Sequence, residues 1–219
     1  WIHESSSGKA STPSVPASCR VLSRKRPIAR ASATTGAATT TSLRRLDESL
    51  TNVPLPSHEP NTQPLKKTAQ TAVLTVTSFG GLGIHTLLNV FRVFPNQFKQ
   101  VVFISVGMID SGRFKGKDEL DHLRSSTEQE LRKYVEFARK IGVPAEYRYT
   151  LGTDIVDELE TLCLEITESF PRSVAFGGQL VFQKEGPANR WLHNQTCAAL
   201  HPRLAFHGHP MVILPVRVY

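Results

Sequence analysis

From Thr71 to the end, the sequence alternates short apolar runs with longer stretches of helical period. This alternation restricts the fold more than any other feature. Ala72–Ser78 (AVLTVTS) is β-branched and ends at glycines, which predicts a buried strand. Ile84–Phe94 then places Ile84, Leu87, Leu88 and Phe91 on one helical face. Val101–Val106 (VVFISV) is a second strand. Asp118–Ile141 is a long amphipathic helix, with Leu120, Leu123, Leu131, Tyr134, Val135 and Ala138 inward and charged i,i+4 pairs outward. Gly142 and Pro144 stop that helix. Ala145–Thr150 is a third strand. Asp154–Phe170 is a helix with Asp154 as N-cap and Ile155, Leu159, Leu162 and Ile166 as its apolar stripe. Ser173–Phe176, Trp191–Phe206 and Met211–Val218 (MVILPVRV) supply a strand, a helix and a closing strand. Each pair of successive strands is separated by a helix, so the connections are right-handed crossovers and the sheet is mainly parallel. The expected fold is α/β: a doubly wound, five-stranded sheet with helices on both faces.

The first 70 residues read differently. Ser5–Ser42 is rich in Ser, Thr, Ala, Pro and Arg and has no apolar period, so it is expected to be disordered. A short helix is expected at Leu43–Leu50, and Pro54, Pro56, Pro60 and Pro64 mark an extended linker. Residues 1–70 therefore form a basic leader and linker, and residues 71–219 the domain. Of the chain's net charge of +7, six units sit in the leader, where ten basic residues face four acidic ones. The domain is close to neutral, which argues against nucleic acid as a partner. Cys19, Cys163 and Cys197 are odd in number and lack CxxC spacing, as expected in a reducing compartment and against a zinc or disulfide framework. No apolar run is long enough to span a bilayer as a helix. A first residue of Trp rather than Met reads as a fragment of a longer protein.

Parallel sheets bind ligands beyond the carboxyl ends of their strands, where strand order reverses. Two strand ends here are rich in glycine. The first runs Ser78-Phe79-Gly80-Gly81-Leu82-Gly83 into a helix, where free amides can receive a phosphate. Asp110, after the second strand, stands where a dinucleotide fold places its ribose-binding acid. The spacing is GxGxxT from Gly81, and Asp110 lies 27 residues beyond Gly83 rather than about 20. Ser78 also half resembles a nucleophile elbow, but Val76 occupies the position that needs glycine. His201, His207 and His209 lack a carboxylate or Cys at ligand spacing, so they are expected in an exposed turn and no metal site is expected. His85 and His193 are expected to pack or cap. Neither Cys163 nor Cys197 has a neighbouring base in sequence. No catalytic constellation emerges, and the expectation is a non-enzymatic chain.

The βαβαβαβαβ order, the glycine-bearing fourth strand and the closing strand Pro210-Met211-Val212-Ile213-Leu214-Pro215-Val216 resemble a universal stress protein domain, which is Rossmann-like. Five further stretches are similar to the cytoplasmic C-terminal region of bacterial permeases of the amino acid-polyamine-organocation superfamily. They are Leu43–Pro56, Gly81–Pro95, Val101–Gly116, Leu131–Glu158, and Leu180–Glu185 with Leu192–Thr196. The resemblance they carry extends over residues 43–219, about four fifths of the chain. ATP-binding stress proteins resemble one another in a G-x2-G-x9-G-[S/T] run. Here that run is represented by Gly177, Gly178 and Gly186, with Asn194-Gln195-Thr196 in place of the final Gly-Ser. Ser78-Phe79-Gly80 stands where those members carry an acid.

The resemblance implies a non-catalytic regulatory or dimerisation domain of a transporter, at the cytoplasmic face of the inner membrane. Its partners would be the membrane-embedded portion and a second copy of the chain. The alternative is a free-standing cytoplasmic protein that binds ATP or AMP. The hypothetical nucleotide site comprises Ser78, Gly80, Gly81, Gly83, Asp110, Gly177, Gly178, Asn194 and Thr196.

Overall fold

The computed structural model describes residues 44, 46–48, 59–110, 112, 116–182 and 195–218. The leader at Ser5–Ser42 lies outside the described residues, as do Gly186, Trp191, His193 and Asn194. Five strands occur in the predicted order: β1 (Thr71–Thr75), β2 (Gln100–Met108), β3 (Ala145–Gly152), β4 (Ser173–Phe182) and β5 (Met211–Val218). Between them lie α1 (Gly81–Val93), α2 (Lys117–Lys140), α3 (Ile155–Ser169) and α4 (Gln195–Phe206). All four strand pairings are parallel, in the order β3-β2-β1-β4-β5. The chain thus winds outward from β1 to β3, crosses back, and winds outward again through β4 and β5. The switch point falls between β1 and β4.

The period of two along β1 divides the core. Ala72, Leu74 and Val76 point to one face, with Ile84, Leu87 and Val90 of α1 and Leu131, Tyr134, Val135 and Ala138 of α2. Val73 points to the other, with Leu159, Leu162, Cys163 and Ile166 of α3 and Leu200 and Leu204 of α4. Each layer is closed by helices whose apolar stripes match the predicted positions, which is why the central strands read as continuous apolar runs. Asp154 caps α3 as expected, its Oδ1 accepting from Val156 N (2.9 Å) and Asp157 N (3.1 Å). Gly142 (φ +88°) ends α2, with Val143 N bonded to Ala138 O.

β4 is longer than the sequence suggests. Gly177 and Gly178 continue the strand, pairing with Ile213 and Leu214 of β5, and do not open a loop. Two helices press on the sheet there. A Cβ on Gly177 would run into Cys197 of α4, and one on Gly178 into Thr86 of α1.

Residues ahead of β1 also touch the domain. Buried Gln100 accepts Lys66 N (2.7 Å) and donates to Lys66 O (2.9 Å) and Thr71 Oγ1 (2.8 Å). Asn61 N donates to Arg139 O (2.9 Å). Arg44 and Leu46–Glu48 are helical, and Leu46 is buried against Leu180 and Val216. Among the described residues, no helix is long and apolar enough to cross a membrane.

Gly83 sits where a Cβ would meet the phenol of Tyr134 in a closed core. Gly83→Ala should therefore destabilise the domain by about 1–3 kcal/mol despite a gain in helix propensity. Urea denaturation measures this, and a neutral or stabilising result would contradict the packing.

Candidate functional site

The β1–α1 turn, Val76–Gly80, lies at the switch point and forms one wall of a cavity of about 280 Å³. Ser78, Gly80, Gly81, Gly83, Gly178 and Thr196 of the predicted set line it. Thr86, the last position of the GxGxxT spacing, lines it too, and the sequence offered no reason to include its other principal walls: Asp47, Thr75, Tyr134, Leu159 and Cys197. Two predicted residues are placed elsewhere. Gly177 packs under Cys197, and Asp110 Oδ1 accepts Gly112 N (3.0 Å), closing a short turn beyond β2. Asn194 lies outside the described residues.

Three consecutive backbone N–H groups in this turn are the donors that a phosphate would need. Each already has an acceptor from the chain itself. Phe79 N donates to Glu130 Oε2 (2.6 Å), Gly80 N to Tyr134 Oη (3.2 Å) and Gly81 N to Asp47 Oδ1 (2.6 Å). Gly80, the N-cap of α1, has no side chain to cap the helix, and Asp47 supplies the carboxylate that the positive helix end favours. The φ of Gly80 is −177°, extended backbone open to any residue. A Cβ at Gly80 would need only the end of the Asp47 side chain to shift, whereas at Gly81 it would meet the backbone of Leu46, so glycine is required at Gly81.

A nucleotide phosphate therefore does not fit this turn as it stands. The amides are spent, and two of the acceptors holding them are carboxylates that would repel an anion. The glycines that suggested a phosphate cradle admit Asp47, Leu46, Tyr134 and Thr86 instead.

Tyr134 is the anchor of the turn. Its Oη accepts from Gly80 N and donates to Ser78 O (3.0 Å), and burial pushes its pKa well up, so it stays protonated at any physiological pH. Burial raises the Cys163 thiol to about 12. It also raises Cys197, against a smaller opposing effect from Thr75, so neither sulfur is a ready nucleophile. Glu130 is held below its ordinary range, first by Lys133 and then by Phe79 N, with burial opposing. His207 Nε2 lies 3.0 Å from Glu160 Oε1 on the α3–α4 surface, and no group of three potential metal ligands occurs among the described residues.

No protein-family model and no curated protein matches the sequence. Among solved structures, the chain is similar to a protein of the universal stress protein family from Burkholderia pseudomallei. The identity is 15%, the match covers 70% of this chain and 100% of that one, and the TM-score is 0.48. The strand order β3-β2-β1-β4-β5 and its parallel pairings define the α/β fold.

A carboxylate depressed in the fold stabilises it above its unfolded pKa and loses that contribution as pH falls through the lower, folded value. For Glu130 this loss begins below about 4.5, its ordinary value. Glu130→Gln should be less stable than wild type at pH 7, and the gap should narrow as pH is lowered past that value. Parallel denaturation curves from pH 7 to pH 3 measure it, and a gap independent of pH would contradict the depression of this carboxylate by Lys133 and Phe79 N.

Proposed function

We propose that this chain carries a non-catalytic regulatory module of an amino acid permease-like membrane transporter, working at the cytoplasmic face of the inner membrane. The bond from Gly81 N to Asp47 carries the reading, because it ties the segment preceding the domain to the strand-end cavity. In a transporter that segment leads toward the membrane helices, so occupancy of the cavity is transmitted along it. The five permease-like stretches, Leu43–Pro56 among them, support the same assignment by resemblance.

The cavity's chemistry suits binding better than catalysis. Its titratable lining side chains, among the described residues, are Asp47, Tyr134 and Cys197, and burial holds the phenol and thiol protonated. Two copies of the domain associate along β5, which pairs with β4 on one side and ends the sheet on the other. The near-neutral charge of the domain gives no reason to expect a nucleic-acid partner.

The second reading, a free-standing stress-type protein that binds ATP or AMP, is favoured by the convergence of six predicted residues on one cavity. The occupied amides weigh against it.

The genomic sequence upstream of the coding region separates the two. A continuous reading frame with about twelve apolar segments is expected, and a start codon immediately before residue 1 would overturn the transporter assignment. Calorimetric titration with ATP and AMP at millimolar concentration should give no heat; binding of either would favour the second reading.

A further inference from the structure

The inner part of the strand-end cavity has spent its hydrogen-bond donors and kept acceptors. Thr75 Oγ1 donates to Phe176 O (3.2 Å) and Thr86 Oγ1 to Leu82 O (2.7 Å). Tyr134 Oη donates to Ser78 O, and the amides of Phe79, Gly80 and Gly81 are bound to Glu130, Tyr134 and Asp47. A hydroxyl has one proton and two lone pairs, so each threonine retains acceptor capacity after its proton is committed. The rest of the wall is apolar at Val76, Leu82, Val106, Ile155, Leu159 and Leu180, with the polar side chains of exposed Thr77 and Ser78 and of half-buried Thr196 and Cys197 beside them. The volume, about 280 Å³, is at the lower end of small-molecule pockets.

We propose that this cavity binds a small, uncharged, mainly apolar molecule bearing an N–H or O–H donor, and excludes phosphate-bearing ligands. An anion finds the three turn amides already bonded and meets the carboxylates of Asp47 and Glu130 there. A neutral donor satisfies the threonine lone pairs while its body displaces water from apolar surface. The inference rests on the cavity as the ligand seat, and not on the transporter assignment, which the upstream sequence decides independently.

The test uses the full chain labelled with nitrogen-15 and four probes at millimolar concentration: indole, its isostere benzofuran, inorganic phosphate and AMP. Indole should shift the amides of Thr75, Thr86, Gly178 and Thr196. Benzofuran, which replaces the donor by an acceptor, should bind roughly three- to tenfold more weakly. Phosphate and AMP should shift none of these residues, nor Gly81. Asp47→Ala should release the Gly81 amide, speeding its hydrogen exchange. Thr196→Trp, which adds a ring to the cavity wall, should abolish the indole shifts; if that variant fails to fold, the indole–benzofuran comparison in wild type decides alone. Phosphate or AMP shifts at Gly81 in wild type, indole shifts confined to other surfaces, no indole shifts at all, or equal affinity for benzofuran would overturn the proposal.

Discussion

The phenol of Tyr134 organises the functional end of this domain. Its ring stacks on Phe103 with centroids 5.2 Å apart and tilts against Phe79 at 4.9 Å, placing the hydroxyl beneath the β1–α1 turn. There it satisfies one backbone donor and one backbone acceptor, Gly80 N and Ser78 O. A buried hydroxyl without partners is costly, and so are the two backbone groups it serves, so ring packing and turn geometry hold each other in place. Gly83 completes the arrangement by leaving room for the oxygen. The shape of the strand-end cavity follows from this contact.

Once the turn is set, its function depends on which acceptors reach three adjacent amides. A glycine-rich strand-to-helix turn is suited to phosphate, because its N–H groups converge at the positive end of a helix. In this chain the acceptors are intramolecular. Asp47 arrives from 34 residues before Gly81, and Glu130 from 51 residues after Phe79. Their carboxylates take the role that a phosphate would otherwise fill, so the turn amides no longer face the cavity as an anion cradle. The Asp47 contact joins a residue from before β1 to the turn that walls the cavity.

Much of the architecture was legible because it depends on local pattern. β5 coincides with its predicted span, and α1, α2 and α3 lie within a few residues of theirs, since apolar spacing, Asp154 at a cap and Gly142 at a stop act over one or two helical turns. β4 was harder to delimit. Gly177 and Gly178 lack the side chains that mark a strand, and they stay in one because Cys197 and Thr86 press where a Cβ would stand. Asp110 was placed by analogy of spacing, yet its carboxylate serves Gly112 nearby. Among the cavity residues, those of the β1–α1 turn were accessible to sequence reasoning because a strand followed by glycines and a helix is itself a signal. Asp47 and Tyr134 carried none, since a carboxylate in a polar helix and an aromatic in an amphipathic one are ordinary in both places.

By itself the sequence determined the parallel α/β sheet, its two helical layers and the position of a glycine-rich turn at the carboxyl end of β1. Periodicity and turn chemistry are properties of neighbouring residues, and right-handed crossover connections leave few ways to assemble them. Only the tertiary structure decided how that turn is used. The N–H groups of Phe79, Gly80 and Gly81 could have faced solvent, a phosphate or the protein, and the outcome depended on Asp47, Glu130 and Tyr134 arriving from distant parts of the chain. Backbone donors must be satisfied, but a local pattern does not specify a distant partner.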